Sequence, residues 1–154
     1  MVGLNCDHPD IYEFLHIKQN EEKLSSMNIS ILFTDEFMEA VKNDTDYTLR
    51  YHVESTGENI ERVIRARDFF MEFCETQWDW GDPGALFSDR LNDYHLLAGY
   101  PEYKIEITNP CGEFGGNAYN ACNLASINLY SMIDDKFSDE PKLNEEKFRQ
   151  TVYD

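Results

Sequence analysis

Residues 28–33, Asn-Ile-Ser-Ile-Leu-Phe, form a short apolar run between polar segments and lead directly into Thr34-Asp35-Glu36. A run of that length and character predicts a strand. The threonine that follows suits a helix N-cap, and the two acids favour the positive end of the helix dipole, with Phe37, Met38 and Val41 facing inward. The same grammar appears earlier. Residues 2–4 are a short apolar stretch running into Asp7-His8-Pro9-Asp10, after which Ile11, Phe14 and Leu15 fall on one helical face. Strands alternating with helices predict an α/β arrangement with largely parallel pairing.

Further along, residues 47–53 read as a strand and Ser55-Thr56-Gly57 as a turn. The longest helix is then predicted to begin near Glu58, with an inward stripe of Ile60, Val63, Ile64, Arg67, Met71, Cys74 and Trp78. Trp80-Gly81-Asp82-Pro83-Gly84 ends it. Residues 85–87 are a short strand candidate and residues 93–102 a surface loop. Residues 105–108 alternate weakly into a tight Asn109-Pro110-Cys111-Gly112-Glu113 turn, where proline fixes one dihedral and glycine permits another. Residues 123–129 are the last strand candidate, and Asn144 caps a final helix with Glu145 and Glu146 in its first turn. No repeat or low-complexity segment divides the 154 residues, which read as one unit without an internal domain boundary. Both ends look cut, since a strand stands at residue 2 and a helix is still running at Asp154.

The formal charge is −17, from 13 basic against 30 acidic residues. That field opposes a general role on nucleic acid or an anionic membrane, both of which need clustered positive charge. No apolar run approaches the roughly 20 residues of a membrane span, and the first residues lack the layout of a signal peptide, so a cytoplasmic location is expected. The four cysteines, Cys6, Cys74, Cys111 and Cys122, contain no C-x-x-C pair and show no zinc-type spacing with the four histidines, so no metal site is expected. Cysteine chemistry here is expected to be catalytic or redox, not structural.

The residues Thr108-Asn109-Pro110-Cys111-Gly112-Glu113, followed by Cys122-Asn123-Leu124-Ala125-Ser126-Ile127-Asn128-Leu129, resemble the active-site signature of ribonucleotide reductase catalytic subunits. Asp7-His8-Pro9-Asp10-Ile11, Asn28-Ile29-Ser30, Thr34-Asp35-Glu36-Phe37-Met38, Gly81-Asp82-Pro83-Gly84-Ala85-Leu86-Phe87 and Asp89-Arg90-Leu91-Asn92 resemble family segments in the same order. The resemblance covers most of residues 1–130. It implies an internal piece of a ten-stranded α/β barrel built from two parallel halves, with the cysteine loop as a finger through its middle.

The implied activity is reduction of ribonucleoside diphosphates or triphosphates to 2′-deoxyribonucleotides, the precursors of DNA replication, by a thiyl-radical mechanism. Cys111 would become the thiyl and remove hydrogen from the 3′ carbon. Glu113 would act as general base on the 3′ hydroxyl, and Asn109 would hold the sugar hydroxyls. Cys122 would be one half of the redox dithiol, whose partner lies upstream in the family and outside this chain; Cys6 stands where the family has no redox cysteine. Cys74 reads as a buried hydrophobe. The segment containing Gln19, Asn20, Glu21 and Lys23 resembles the loop through which an effector nucleotide adjusts base choice.

Asn109-Pro110-Cys111-Gly112-Glu113 looks most like the adenosylcobalamin-dependent class; the alternative is a radical from a separate metal-containing small subunit. Partners implied are a ribonucleotide, an effector nucleotide, the remaining parts of the catalytic subunit and a thioredoxin-like or glutaredoxin-like reductant. Ala125 stands where the family commonly has glycine. Because the upstream cysteine and the phosphate-binding loop are absent, the 154 residues alone are expected not to turn over. Two other readings compete. One is a non-catalytic acidic interaction module that retains the fold, and the other is a simple thiol-disulfide protein using Cys111 and Cys122.

Overall fold

The computed structural model describes residues 1–19 and 26–153. Its contacts divide into two compact units, Met1–Ala121 and Cys122–Asp154, each described here by itself.

The first unit is organised by a parallel sheet of three strands, β1 (Val2–Asn5), β2 (Ile29–Phe33) and β5 (Gly84–Phe87), with β2 in the centre. β1 and β2 pair from Val2 opposite Ile29 to Asn5 opposite Leu32, and β2 and β5 from Ser30 opposite Gly84 to Phe33 opposite Phe87. Every residue of β2 is buried, as a strand covered on both faces requires. Alternation assigns Ile29, Ile31 and Phe33 to one face and Ser30 and Leu32 to the other. The first set joins the aromatic core. Three helices cover that face: α1 (Ile11–Leu15), α2 (Asp35–Asn43) and α3 (Ala66–Trp80).

Helix α2 starts as its sequence predicts, with Thr34 Oγ1 accepting from the Phe37 N–H at 3.1 Å. Phe33 is ringed by Phe37, Phe70 and Phe73 at centroid distances of 5.2, 5.6 and 5.1 Å. The opposite face of the sheet is smaller in its side chains. A Cβ on Gly3 would lie 2.7 Å from Leu32 Cδ1 and 3.0 Å from Ile107 Cδ1, and one on Gly84 would lie 2.8 Å from Ser30 Oγ.

Between α2 and α3 the structure corrects the sequence reading. Residues 58–65 do not begin a helix; they are strand β4 (Glu58–Arg65), paired antiparallel with β3 (Asp46–Val53). Ile60, Val63 and Ile64 satisfy a helical spacing, but they are β-branched and face a matching partner strand across the Thr56-Gly57 turn. α3 starts only at Ala66, and its buried face is Ala66, Phe69, Phe73 and Thr76. Met71 and Trp78, expected inward, are 53% and 89% exposed. Arg67, the one charged member of the expected stripe, donates to the carbonyls of Val41 and Lys42 at 3.0 and 2.7 Å, satisfying the open end of α2.

After β5 come a short helix α4 (Ser88–Asp93) and a small antiparallel hairpin, β6 (Ile107–Thr108) with β7 (Gly115–Gly116). The second unit holds a hairpin of β8 (Ile133–Asp134) and β9 (Lys142–Leu143), then α5 (Glu145–Tyr153). Asn144 Oδ1 accepts from the Lys147 N–H at 2.9 Å, the N-cap expected. The strand expected over residues 123–129 does not form; residues 123–128 are irregular and a 3-10 turn follows at Leu129–Met132. Its apolar residues have no neighbouring strand among the described residues, and Leu124 is 81% exposed. The described residues therefore give an α/β fold with a parallel sheet and not a closed barrel. None of their helices is long and apolar enough to cross a membrane.

Candidate active site

The Asn109-Pro110-Cys111-Gly112-Glu113 segment is the tip of the β6–β7 hairpin. Gly112 N–H donates to the Asn109 carbonyl at 3.0 Å, closing a β-turn with Pro110 in the position that favours its fixed φ. Gly112 has φ of +79°, in the left-handed region, where any side chain would be strained. The Asn109 N–H donates to the Phe114 carbonyl at 3.0 Å, while Asn109 Oδ1 accepts from the Phe114 N–H at 3.1 Å. Asn109 thus shapes the loop with its backbone and its side-chain oxygen. Among the described residues, its Nδ2 makes no hydrogen bond. Thr108 is buried beneath the tip and donates to the Asn109 carbonyl at 2.9 Å.

Cys111 and Glu113 are both exposed, as a thiol and a carboxylate on one loop turned away from the core. This is a local arrangement that proline and glycine make stiff, with the thiol and the carboxylate two positions apart on one loop. What anchors it is less local. Glu106 N–H donates to the Gly116 carbonyl at 2.9 Å, continuing the pairing below β6. A Cβ on Gly115 would lie 2.8 Å from Ile105 Cδ1, so the two arms pack closely. Asn92, at the end of α4, accepts from the Ile105 N–H at 2.8 Å and donates to the Ile105 carbonyl at 3.1 Å. Sequence reasoning assigned Asn92 only to a run of resembling residues and gave Ile105 no site role.

At the carboxyl edge of the parallel sheet lies a hollow of about 420 Å³, lined by Asn5, Asp7, Thr34, Asp89, Lys104 and Glu106 among others. Ligands of open parallel sheets bind at such an edge. Beside it, Cys6 is buried with its sulfur 3.9 Å from Thr34 Oγ1, and burial pushes its thiol above the ordinary range. Burial likewise raises the Tyr47 phenol. Cys74 is half-buried against the aromatic core, close to its expected part as an apolar filler.

Cys122 is an exposed free thiol in the second unit. Cys111, in the first unit, is also a free thiol. Gln19 ends a 3-10 turn at Ile17–Gln19; Asn20, Glu21 and Lys23 lie outside the described residues. Leading into that segment, His16 Nε2 pairs with Glu72 Oε1 at 2.6 Å and Lys18 Nζ with Asp82 Oδ2 at 2.7 Å. Among the described residues no cluster of three or more histidines, cysteines or acids could hold a metal ion.

Comparison with known proteins bears on the whole chain. The family model described as "Ribonucleotide reductase, barrel domain" matches residues 1–153. The vitamin B12-dependent ribonucleoside-diphosphate reductase of Thermoplasma acidophilum is 36% identical over 151 residues, covering 97% of this chain and 18% of the relative. The vitamin B12-dependent ribonucleotide reductase of Streptomyces clavuligerus is 32% identical over 176 residues, 99% of this chain and 18% of the relative. A vitamin B12-dependent ribonucleoside-diphosphate reductase of Mycobacterium tuberculosis is 36% identical over 146 residues, 94% and 20% respectively. The chain thus spans about a fifth of the length of the relatives it matches. With the matched region running almost end to end, the chain belongs to the ribonucleotide reductase barrel-domain family.

Proposed function

We propose that this chain is one stretch of a ribonucleotide reductase catalytic subunit and carries its radical cysteine, Cys111, and its general base, Glu113. The observation that carries the reading is the β6–β7 hairpin, which holds thiol and carboxylate on a single proline- and glycine-stiffened loop. On the sheet face toward Ile107, Gly3, Ser30 and Gly84 stand in one row of the pairing, and the missing side chain of Gly3 lets Ile107 approach the sheet closely. In this reading both compact units belong to one ten-stranded barrel domain, and the hairpin is its central finger.

The chemistry begins with the Cys111 sulfur as a thiyl, which takes the 3′ hydrogen of the ribose and leaves the radical on carbon. Glu113 accepts the 3′ hydroxyl proton while the 2′ hydroxyl leaves as water, a pairing that requires both groups within hydrogen-bond reach of one sugar. A dithiol supplies two electrons and two protons and closes to a disulfide; Cys122 is one half of it, and a thioredoxin-like or glutaredoxin-like protein reopens it. Cys111 then returns the hydrogen to the 3′ carbon, which completes the deoxyribonucleotide and restores the thiyl. The Nδ2 amide of Asn109 is the group offered to the sugar hydroxyls, since its oxygen is engaged in the loop. Gln19 and residues 20, 21 and 23 form the effector-responsive loop. The 154 residues alone do not turn over, and the whole protein works in the cytoplasm.

The printed names of the relatives attach vitamin B12 to their activity. The hollow at the sheet edge sets Asp7, Asp89 and Glu106 against one lysine, a lining for a small polar ligand and unlike the broad apolar seat of a corrin ring. Adenosylcobalamin is accordingly proposed for the whole protein, as the source of the radical, and none of the steps above is routed through it. A separate metal-containing small subunit is the other source.

The test uses the complete polypeptide supplied with adenosylcobalamin and a dithiol. Cys111→Ser should abolish deoxyribonucleotide formation, and Glu113→Gln should lower kcat while the ribonucleotide still binds. Undiminished turnover by Cys111→Ser would overturn the assignment in favour of a non-catalytic module that keeps the fold.

A further inference from the structure

We infer that Asn92 is a positioning residue for the reacting loop, setting the depth and angle at which Cys111 meets the sugar; this rests on the reading of Cys111 and Glu113 given above. The hairpin has only two paired rungs of its own, Ile107 with Gly116 and Thr108 with Gly115. Two rungs do not fix a loop in water. The entering strand therefore needs a partner below the hairpin, and Asn92 supplies it from a helix.

The side-chain amide of Asn92 meets the backbone of Ile105 as a neighbouring strand would. Oδ1 accepts from the Ile105 N–H at 2.8 Å and Nδ2 donates to the Ile105 carbonyl at 3.1 Å. Only a carboxamide places an acceptor and a donor side by side in this way. Asparagine reaches from the last turn of α4, where Nδ2 also donates to the Ser88 carbonyl at 2.9 Å, locking its own rotamer.

α4 is in turn fixed to the core. Ser88 Oγ donates to the Phe33 carbonyl at 3.2 Å, and Asp89 Oδ2 accepts from the Asp35 N–H at 2.7 Å, at the start of α2. A continuous chain of bonded groups runs from the central strand through α4 and Asn92 to Ile105. Ile105 stands six positions before Cys111 and packs against Gly115 on the returning arm. Gripping that one residue controls both arms. A displacement of about 1 Å at the reacting atoms costs on the order of a hundredfold in rate, so a contact this far from the thiol still reaches the chemistry.

The experiment compares Asn92→Leu, Asn92→Asp and a control, Arg90→Ala, in the complete protein. Arg90 lies on the same helix, and its exposed guanidinium pairs with Asp35 at 3.5 Å on the surface. Asn92→Leu should lower kcat by about 10- to 100-fold with KM for the ribonucleotide changed by less than about twofold. Amide exchange should quicken at Ile105, Asn109 and Phe114 and stay slow in β1 and β2. Arg90→Ala should leave both unchanged. Asn92→Asp keeps the acceptor but sets a carboxylate against the Ile105 carbonyl, so it should show the same pattern even if the leucine variant fails to fold. Equal kcat in the Asn92 variants and Arg90→Ala overturns the proposal, as does exchange that quickens equally through β1 and β2. Retained activity in Cys111→Ser instead sinks the reading of the loop itself, whatever Asn92 does.

Discussion

The three-stranded sheet and the cysteine hairpin are held by opposite means. β2 is buried along its whole length and carries a ring of phenylalanines that would pack in much the same way whatever the hairpin did. The hairpin buries little besides Thr108, Gly116 and the adjoining Ile105, and leans on Asn92 and the close approach of Ile107 to Gly3 for its place. The difference separates stability from reactivity. The core can be damaged only at the expense of the fold, whereas the tip can be altered chemically with the fold intact.

That contrast is open to attack at several points. Phe33→Ala removes a fully buried ring and should destabilise the first unit by about 3–5 kcal/mol, read as a shift in urea unfolding. Thr34→Ala deletes the N-cap of α2 and should cost about 1 kcal/mol by the same measurement. Both are effects on the packing of the first unit, read in unfolding. Alkali gives a third, smaller signal. The Cys6 thiol titrates higher in the folded than in the unfolded chain, so its contribution is complete below about pH 8.5 and is lost as pH climbs toward the folded value. Stability should therefore fall above that point, and Cys6→Ala should flatten the slope. At the bottom of the scale, Cys111→Ser should move stability by no more than about 0.5 kcal/mol while removing activity. A large melting shift in that variant would erase the distinction between the two regions.

What could be read in the sequence followed how local its causes are. Residues 28–33 and Thr34 declared a strand and a cap because both signals lie within a few residues. The loop at 109–113 was legible for the same reason, since proline and glycine set its backbone from within. Ile60, Val63 and Ile64 were misleading: their spacing is helical, yet all three are β-branched, and the partner strand Asp46–Val53 decides for a strand. Residues 123–129 have the length of a strand and carry Leu124, Ile127 and Leu129, yet with no neighbouring strand among the described residues the backbone has no ladder to join. The grip of Asn92 on Ile105 spans thirteen positions and joins a side chain to a backbone, a contact with no signature in a linear pattern.

The β3–β4 hairpin carries a practical consequence. Its buried side chains, Tyr47, Leu49 and Ile64, all sit near the base, while the far end around Thr56 and Gly57 lies in solvent. Extra length added at that turn would extend the ribbon outward without disturbing the order β1-β2-β5. It is the natural graft point of the first unit, a place where an affinity tag or a fluorophore can be carried without touching the thiol, the sheet or the α4 anchor.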